Sequence, residues 1–134
     1  MDTTAKDIMS STIIVAKESS STEEALKLLV NNKVTGLPVV NAEGRMIGMV
    51  TEYDIMVRLS QSQKPDNAFF QAAMPFTNKV ESVAEDAPLK EVLDRLVSLR
   101  VRRLPVVDNS GQLVGIISRK DVMRALYYRA KVIE

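Results

Sequence analysis

The strongest constraint on this chain is that its sequence states one pattern twice. Leu37 to Asp54 reads LPVVNAEGRMIGMVTEYD, and Leu104 to Asp121 reads LPVVDNSGQLVGIISRKD. Pro105, Gly111, Gly115, Ser118 and Asp121 each stand 67 positions after Pro38, Gly44, Gly48, Thr51 and Asp54, with nothing inserted or lost between. A chain of 134 residues with this internal period is two copies of one unit. Function must be sought in the unit, and then in how the copies differ.

The first copy can be taken in chain order. Ala5 to Met9 spells a single helical turn. Ile13, Ile14 and Val15 are β-branched in a row and predict a short buried strand. Ser19 to Thr22 offers several caps, with Glu23 and Glu24 where the helix dipole favours anions. The helix that follows, to about Asn32, places Ala25, Leu28 and Leu29 on one face. Leu37 to Val40 and Met46 to Val50 predict a hairpin around Asn41-Ala42-Glu43-Gly44, a tight-turn signature. Thr51 then caps a helix from Glu52 to about Leu59, and Met46, Met49 and Met56 are expected to fill core gaps. The order strand, helix, strand, strand, helix implies a parallel first pair joined by a right-handed crossover, and an antiparallel hairpin.

Ser60 to Asn67, polar and carrying Pro65, reads as a linker, which divides the chain into repeat 1 over 1–60, a linker over 61–67 and repeat 2 over 68–134. In the second copy Ala73-Met74 matches Ile8-Met9 at an offset of 65, so two additional residues are expected within Pro75 to Ser82. Val80 and Val83 mark its first strand. The helix from Pro88 or Leu89 to Leu99 is the strongest amphipathic segment, with Leu89, Val92, Leu93, Leu96 and Val97 on one face. Leu104 to Val107 and Leu113 to Ile117 form the second hairpin, and Ser118 caps a last helix to about Lys131. A unit of about 60 residues with three short strands buries little by itself. The expected fold class is therefore α+β, two βαββα repeats packed sheet to sheet about a pseudo-twofold axis that leaves two equivalent clefts.

Composition excludes much chemistry. With no Cys and no His, thiol nucleophiles, Ser–His pairs and the usual zinc and haem ligands are unavailable, and no nucleophile–base set is visible, so an enzyme is not expected. The net charge of +1 argues against a general nucleic-acid binder. Runs such as Leu113 to Ile117 fall far short of the roughly 18 apolar residues that span a bilayer. Met1 to Ser10 shows no secretory pattern, and a cytoplasmic protein that needs no membrane is expected. The halves differ in charge: residues 1–67 hold 7 basic and 9 acidic side chains, residues 68–134 hold 11 and 8.

The repeated apolar-Pro-Val-Val, turn Gly, and Gly-x-x-[Thr/Ser]-x-x-Asp resembles the cystathionine-β-synthase (CBS) domain family, here as a tandem pair of the Bateman type, from about Ala5 to Leu126. The resemblance implies adenosine-containing ligands in the clefts between repeats: AMP, ADP, ATP or S-adenosylmethionine. It implies that Asp54 and Asp121 hold ribose hydroxyls, and that Thr51 and Ser118 lie near ribose or phosphate. Arg102 and Arg103 stand where the family often binds phosphate. By the same resemblance they serve the cleft of Asp54, while Thr35 and Gly36 serve that of Asp121. Arg119 and Lys120, cations in the first turn of a helix, oppose its dipole and are better explained by an anion arriving there. The segments Ile13-Ile14 and Val80-Glu81 match those whose backbone recognises adenine. The family also implies a homodimer and a regulated protein partner. Each residue has a plainer reading beside this one. The Thr51/Asp54 and Ser118/Asp121 pairs are sufficient as helix caps. Gly48 and Gly115 mark either a bulge or a place where a ligand approaches the backbone. Two functions stay open: a regulatory module sensing an adenosyl ligand, and a ligand-free dimerisation or interaction module.

Overall fold

The computed structural model describes residues 3–62 and 64–133. In chain order the elements are α1 (Ala5–Ile8), β1 (Ala16–Lys17), α2 (Thr22–Asn32), β2 (Gly36–Val40), β3 (Met46–Thr51), α3 (Glu52–Ser62), α4 (Asn67–Gln71), β4 (Val83–Ala84), α5 (Leu89–Leu99), β5 (Arg103–Val107), β6 (Leu113–Ser118) and α6 (Arg119–Ile133). Two three-stranded sheets result, ordered β1-β2-β3 and β4-β5-β6, each with a parallel outer pair and an antiparallel hairpin. The fold is α+β, built twice.

Local chemistry explains the hairpins. Gly44 and Gly111 turn the chain at φ 82° and 83°, a conformation that costs a side chain little only when it is absent. Asn41 and Asp108 stabilise those turns, each accepting two backbone N–H groups on Oδ1. Both hairpins also carry one extra residue on their second strand: Val39 pairs with Gly48 and Val40 with Met46, as Val106 pairs with Gly115 and Val107 with Leu113. Bulges therefore sit at Ile47 and Val114.

The compact units do not follow the halves of the sequence. One comprises residues 14–80. The other joins the described residues up to 13 with those from 81 onward. The leading segment of each copy is thus exchanged onto the other copy's sheet. Ser10 N–H and C=O both bond Ile116 in β6, and Thr77 does the same with Met49 in β3. Further back, Leu89 N–H donates to Thr3 and Thr22 N–H to Ala72, while Ala5 N–H donates to Ala87 and Met74 N–H to Ser20. These bonds equate Ala72-Ala73-Met74 with Thr3-Thr4-Ala5, so the expected match of Ala73-Met74 to Ile8-Met9 is corrected. No residues are added after Met74. Instead the second leader is shorter there and lacks a turn like α1.

Several other expectations change. The parallel strands do not include Ile13-Ile14 or Val80; they are only Ala16–Lys17 and Val83–Ala84. Proline is the reason. The Cα register Ala16↔Val39, with Glu18 N–H bonded to the Val40 carbonyl, turns the polar groups of residue 38 toward β1, and Pro38 has no N–H to continue the ladder toward Ile14. Pro105 ends the β4 ladder in the same register. The stretch expected as linker is partly helical: α3 runs on to Ser62, and Asp66 caps α4 by accepting Phe69 N–H at 3.0 Å. Phe69 then anchors α4 in the core of Ala16, Ala25, Leu29, Leu37, Val39, Val50 and Ile55. The second unit's core gathers Ala5, Val83, Val92, Leu96, Leu104, Val106, Ile117 and Val122. Of the stripe expected on α5, Val92 and Leu96 are buried, whereas Leu93 and Val97 remain 38% and 68% exposed because the helix rests on the sheet over a narrower arc than its apolar face. Met46 fills the core, but Met56 is exposed.

Candidate functional site

Each copy ends its hairpin in a strand-to-helix junction, and most of the predicted residues gather at these two places. In the first, Gly36 at the start of β2 pairs with Thr51 at the end of β3, and Glu52 N–H donates to the Thr35 carbonyl at 2.9 Å. Thr51 N–H and hydroxyl both donate to Asp54 Oδ2, at 3.0 and 2.9 Å, while Asp54 N–H donates to Thr51 Oγ1 at 3.2 Å. In the second, Arg103 pairs with Ser118 and Arg119 N–H donates to the Arg102 carbonyl at 3.0 Å. Ser118 N–H donates to Asp121 Oδ2 at 2.8 Å, and Asp121 N–H to Ser118 Oγ at 3.2 Å.

Both pairs are therefore complete capping boxes: the aspartates satisfy orphan donors at the helix starts. Neither carboxylate is saturated by this work. Asp54 Oδ1 has no partner among the described residues, and Asp121 Oδ1 accepts Arg124 Nη1 at 3.1 Å. Both side chains are half-buried, open enough to accept hydroxyl groups from outside.

The junctions differ in charge. Arg102, Arg103 and Lys120 are exposed and carry no ion pair or side-chain hydrogen bond among the described residues. Arg119 is partly accounted for within the fold, because its Nε donates to the Val101 carbonyl at 3.1 Å. Directly opposed residues of an antiparallel pair hold their Cβ atoms about 5 Å apart, so Arg103 stands beside Ser118. Four cations thus surround the second junction. The first has Thr35, Gly36, Glu52 and Tyr53 in their places. Asp54 belongs to one compact unit, Arg102 and Arg103 to the other.

The segments before β1 and β4 complete the picture. Ile14 and Ile13 are half-buried, and the Ile14 carbonyl, which Pro38 cannot serve, has no hydrogen-bond donor among the described residues. Sixty-seven positions on, Val80 is 43% exposed and Glu81 is bonded to Arg95 Nη2 at 3.2 Å. That contact had no sequence signal beyond a charged residue at the edge of the apolar face of α5. The bulge glycines are settled differently. A Cβ on Gly48 would meet the Thr77 carbonyl oxygen, and one on Gly115 would meet Met9 Sδ. What approaches is the exchanged leader of the other copy and not the ligand that the sequence reading offered as the alternative to a bulge. A shallow groove between α2 and α4, lined by Leu26, Val30 and Phe70 with Glu23, Lys27 and Asn67, holds none of the predicted residues.

A family model for the CBS domain matches residues 5–61 and 75–128. The chain belongs to the CBS domain family. Among curated proteins it is 32% identical over 136 residues to the CBS domain-containing protein CBSX1, chloroplastic, of Arabidopsis thaliana, an alignment covering 83% of this chain and 58% of that protein. The chain thus spans less than two-thirds of that relative's length. The crystal structure of CBSX2 in complex with AMP superposes with a TM-score of 0.77 at 32% identity, over 95% of this chain and 98% of that one. The CBS domain pair of protein MJ0100 in complex with 5′-methylthioadenosine and S-adenosyl-L-methionine gives a TM-score of 0.73 at 29% identity, over 96% and 99%. No helix among the described residues is long and apolar enough to cross a membrane.

Proposed function

We propose that this CBS pair is a cytoplasmic regulatory module that senses an adenosyl ligand, a nucleotide such as AMP, ADP or ATP, or S-adenosylmethionine. One observation carries the reading: the Ile14 carbonyl, denied a donor by Pro38, lies in the same unit as a junction whose Asp54 keeps an open oxygen. An unserved carbonyl accepts the 6-amino group of adenine, whereas a 6-oxo purine places an acceptor at that same position. A carboxylate accepts the ribose hydroxyls. Arg102, Arg103 and Lys120, cations without partners among the described residues, suit phosphates. The AMP and S-adenosylmethionine bound by its structural relatives support the same class of ligand, and the empty interaction module is the weaker alternative. In this reading the ligand shifts the arrangement of the copies, a protein partner reads the shift, and the chain itself catalyses nothing.

The module works as a homodimer in this reading. Tyr53 and Met56 on α3 are 72% and 64% exposed, and Met123 and Tyr127 on α6 are each 57% exposed, more apolar surface than an isolated pair of helices needs. Light scattering is expected to give twice 14.9 kDa at micromolar concentration, and a monomer there removes the dimer. Calorimetric titration with AMP, ATP, S-adenosylmethionine and IMP tests the ligand. AMP should bind well ahead of IMP, and a ligand at 100 times its dissociation constant should add about 2.7 kcal/mol to stability. No binding by any of the four, or equal binding of AMP and IMP, overturns the assignment.

A further inference from the structure

Among the described residues, the side chain of Arg95 does something in the second copy that nothing does in the first. It projects from the middle of α5 and its Nη2 donates to the Ser82 carbonyl at 2.9 Å and to Glu81 Oε2 at 3.2 Å. Residues 81 and 82 belong to neither helix nor strand, because Pro105 has ended the ladder just beyond them. The matching position on α2 is Leu28, which has no polar group to offer Ile14 and Val15. The arrangement is not one that folding alone favours. Arg95 and Glu81 are only 37% and 30% exposed at the side chain, and Arg95 Nε is buried without a hydrogen-bond partner among the described residues. An unsatisfied buried donor is destabilising, and the first copy shows that leucine serves the same helix position.

We infer that Arg95 is a positioning residue: it holds residues 81–82 in a fixed conformation, so that the second copy presents a pre-formed wall for an adenine base where the first copy's equivalent must be ordered on binding. The inference rests on the adenosyl-ligand reading above. Its energetic basis is that a segment fixed beforehand does not have to be ordered by the ligand, and its consequence is that the two copies bind with unequal affinity.

The test uses the whole chain, with Arg95→Leu reproducing the first copy and Arg95→Lys keeping a cation able to reach one of the two oxygens. In ligand-free wild type, backbone order parameters of Glu81 and Ser82 should match rigid structure at about 0.85 and exceed those of Ile14 and Val15. Arg95→Leu should bring them below about 0.6. AMP affinity at the second copy's site should fall about tenfold in Arg95→Leu, while a site built on Ile14 keeps its affinity, and should return to within about threefold in Arg95→Lys. A role in stability alone would lower the melting temperature but leave the AMP affinities of both sites unchanged, which overturns the inference. Unchanged order parameters in Arg95→Leu, or a failure of Arg95→Lys to rescue, overturn it too. If wild type binds neither AMP nor S-adenosylmethionine while the order parameters fall as expected, the adenosyl reading has failed and the positioning role fails with it. If wild type binds and Arg95→Leu binds equally, only the role of Arg95 is wrong.

Discussion

The two strand-to-helix junctions share a backbone and differ in almost everything a ligand would feel. Residues that shape the chain recur in register: Pro38 and Pro105, Gly44 and Gly111, the hydroxyl–aspartate boxes. Among the matched positions where only the second copy carries a cation are Arg95, Arg102, Arg103, Arg119, Lys120 and Arg124, where the first has Leu28, Thr35, Gly36, Glu52, Tyr53 and Val57. Lys33 and Arg100 show the opposite case, a cation retained in both copies at a left-handed helix end with φ 54° and 55°. The backbone tolerates either set of side chains, so the divergence was not imposed by folding. What the comparison teaches is a division of labour: shared residues build the junction, and unshared ones decide what it can hold.

The largest expected effect tests whether the unshared cations bind phosphate. A hydrogen bond to a charged group is worth about 1.5–3 kcal/mol. Changing Arg102 and Arg103 together to Ser should therefore lower affinity for ATP or AMP by about one to three orders of magnitude. Adenosine, which has no phosphate, should lose much less, and folding stability should move by no more than about 0.5 kcal/mol. Asp54→Ala should weaken nucleotide and adenosine together, because ribose is common to both. Calorimetry with ATP and adenosine decides. An equal loss for both ligands in the arginine variant, or no loss, makes the cluster a solvated surface and erases the functional side of the comparison.

Next in size is a contrast between the bulge glycines, where the copies look alike but should respond unequally. Gly48→Ala drives its Cβ into the Thr77 backbone carbonyl and within 2.9 Å of the Phe76 ring, neither of which can step aside without breaking the Thr77–Met49 bonds. Gly115→Ala meets chiefly the flexible Met9 side chain, with Ser10 O at 3.0 Å as the firmer neighbour. Overpacking costs about 1–3 kcal/mol, so Gly48→Ala belongs near the top of that range and Gly115→Ala near the bottom in urea unfolding. Equal costs would mean that the exchanged leaders pack alike on both sheets.

A smaller contrast lies at the first helix of each copy. Ser21 caps α2, accepting Glu24 N–H at 3.1 Å while Glu24 Oε1 accepts Ser21 N–H at 3.0 Å. At the matching start of α5 stands Pro88, which makes no side-chain cap. Ser21→Ala should cost about 1 kcal/mol, and Pro88→Ala should remove no capping hydrogen bond. The smallest effect is the pH dependence of the same cap. Hydrogen bonds from the Ser21 backbone N–H and then its hydroxyl hold the Glu24 carboxyl below its ordinary range. A carboxyl depressed in the folded state stabilises above its unfolded pKa, and that contribution disappears as pH falls through the folded value. The gap between wild type and Ser21→Ala in urea unfolding should accordingly narrow in acid. A gap that stays constant from pH 7 to pH 3 removes the Ser21 hydroxyl as a cause of the lowered Glu24 pKa.

The features legible in sequence are those whose chemistry closes within a few residues. A turn needs a glycine at positive φ and an Asn or Asp whose side chain reaches two to four residues on. A helix start needs a hydroxyl and, three residues later, a carboxylate. Such bonds form in any context that leaves them wet, so the hairpins, the helix starts and both capping boxes could be read directly. The repeat told further that each hairpin and the junction after it formed twice. Tertiary structure decided what depends on a distant partner. Ile13, Ile14 and Val15 have the side chains of a strand, but a strand is a ladder, and its donor at this point would have been Pro38. Gly48 and Gly115 left a bulge and a ligand's approach open in the sequence, and the group that approaches is the leader of the other copy. The apolar stripe of α5 was correct as a pattern, yet only the sheet beneath determined that Val92 and Leu96 face inward and Val97 does not. Arg95 shows the limit most plainly. As a letter it is a charge beside an apolar face, and its partners at Glu81 and Ser82 lie a full helix away along the chain, brought together by the packing of α5 on its sheet.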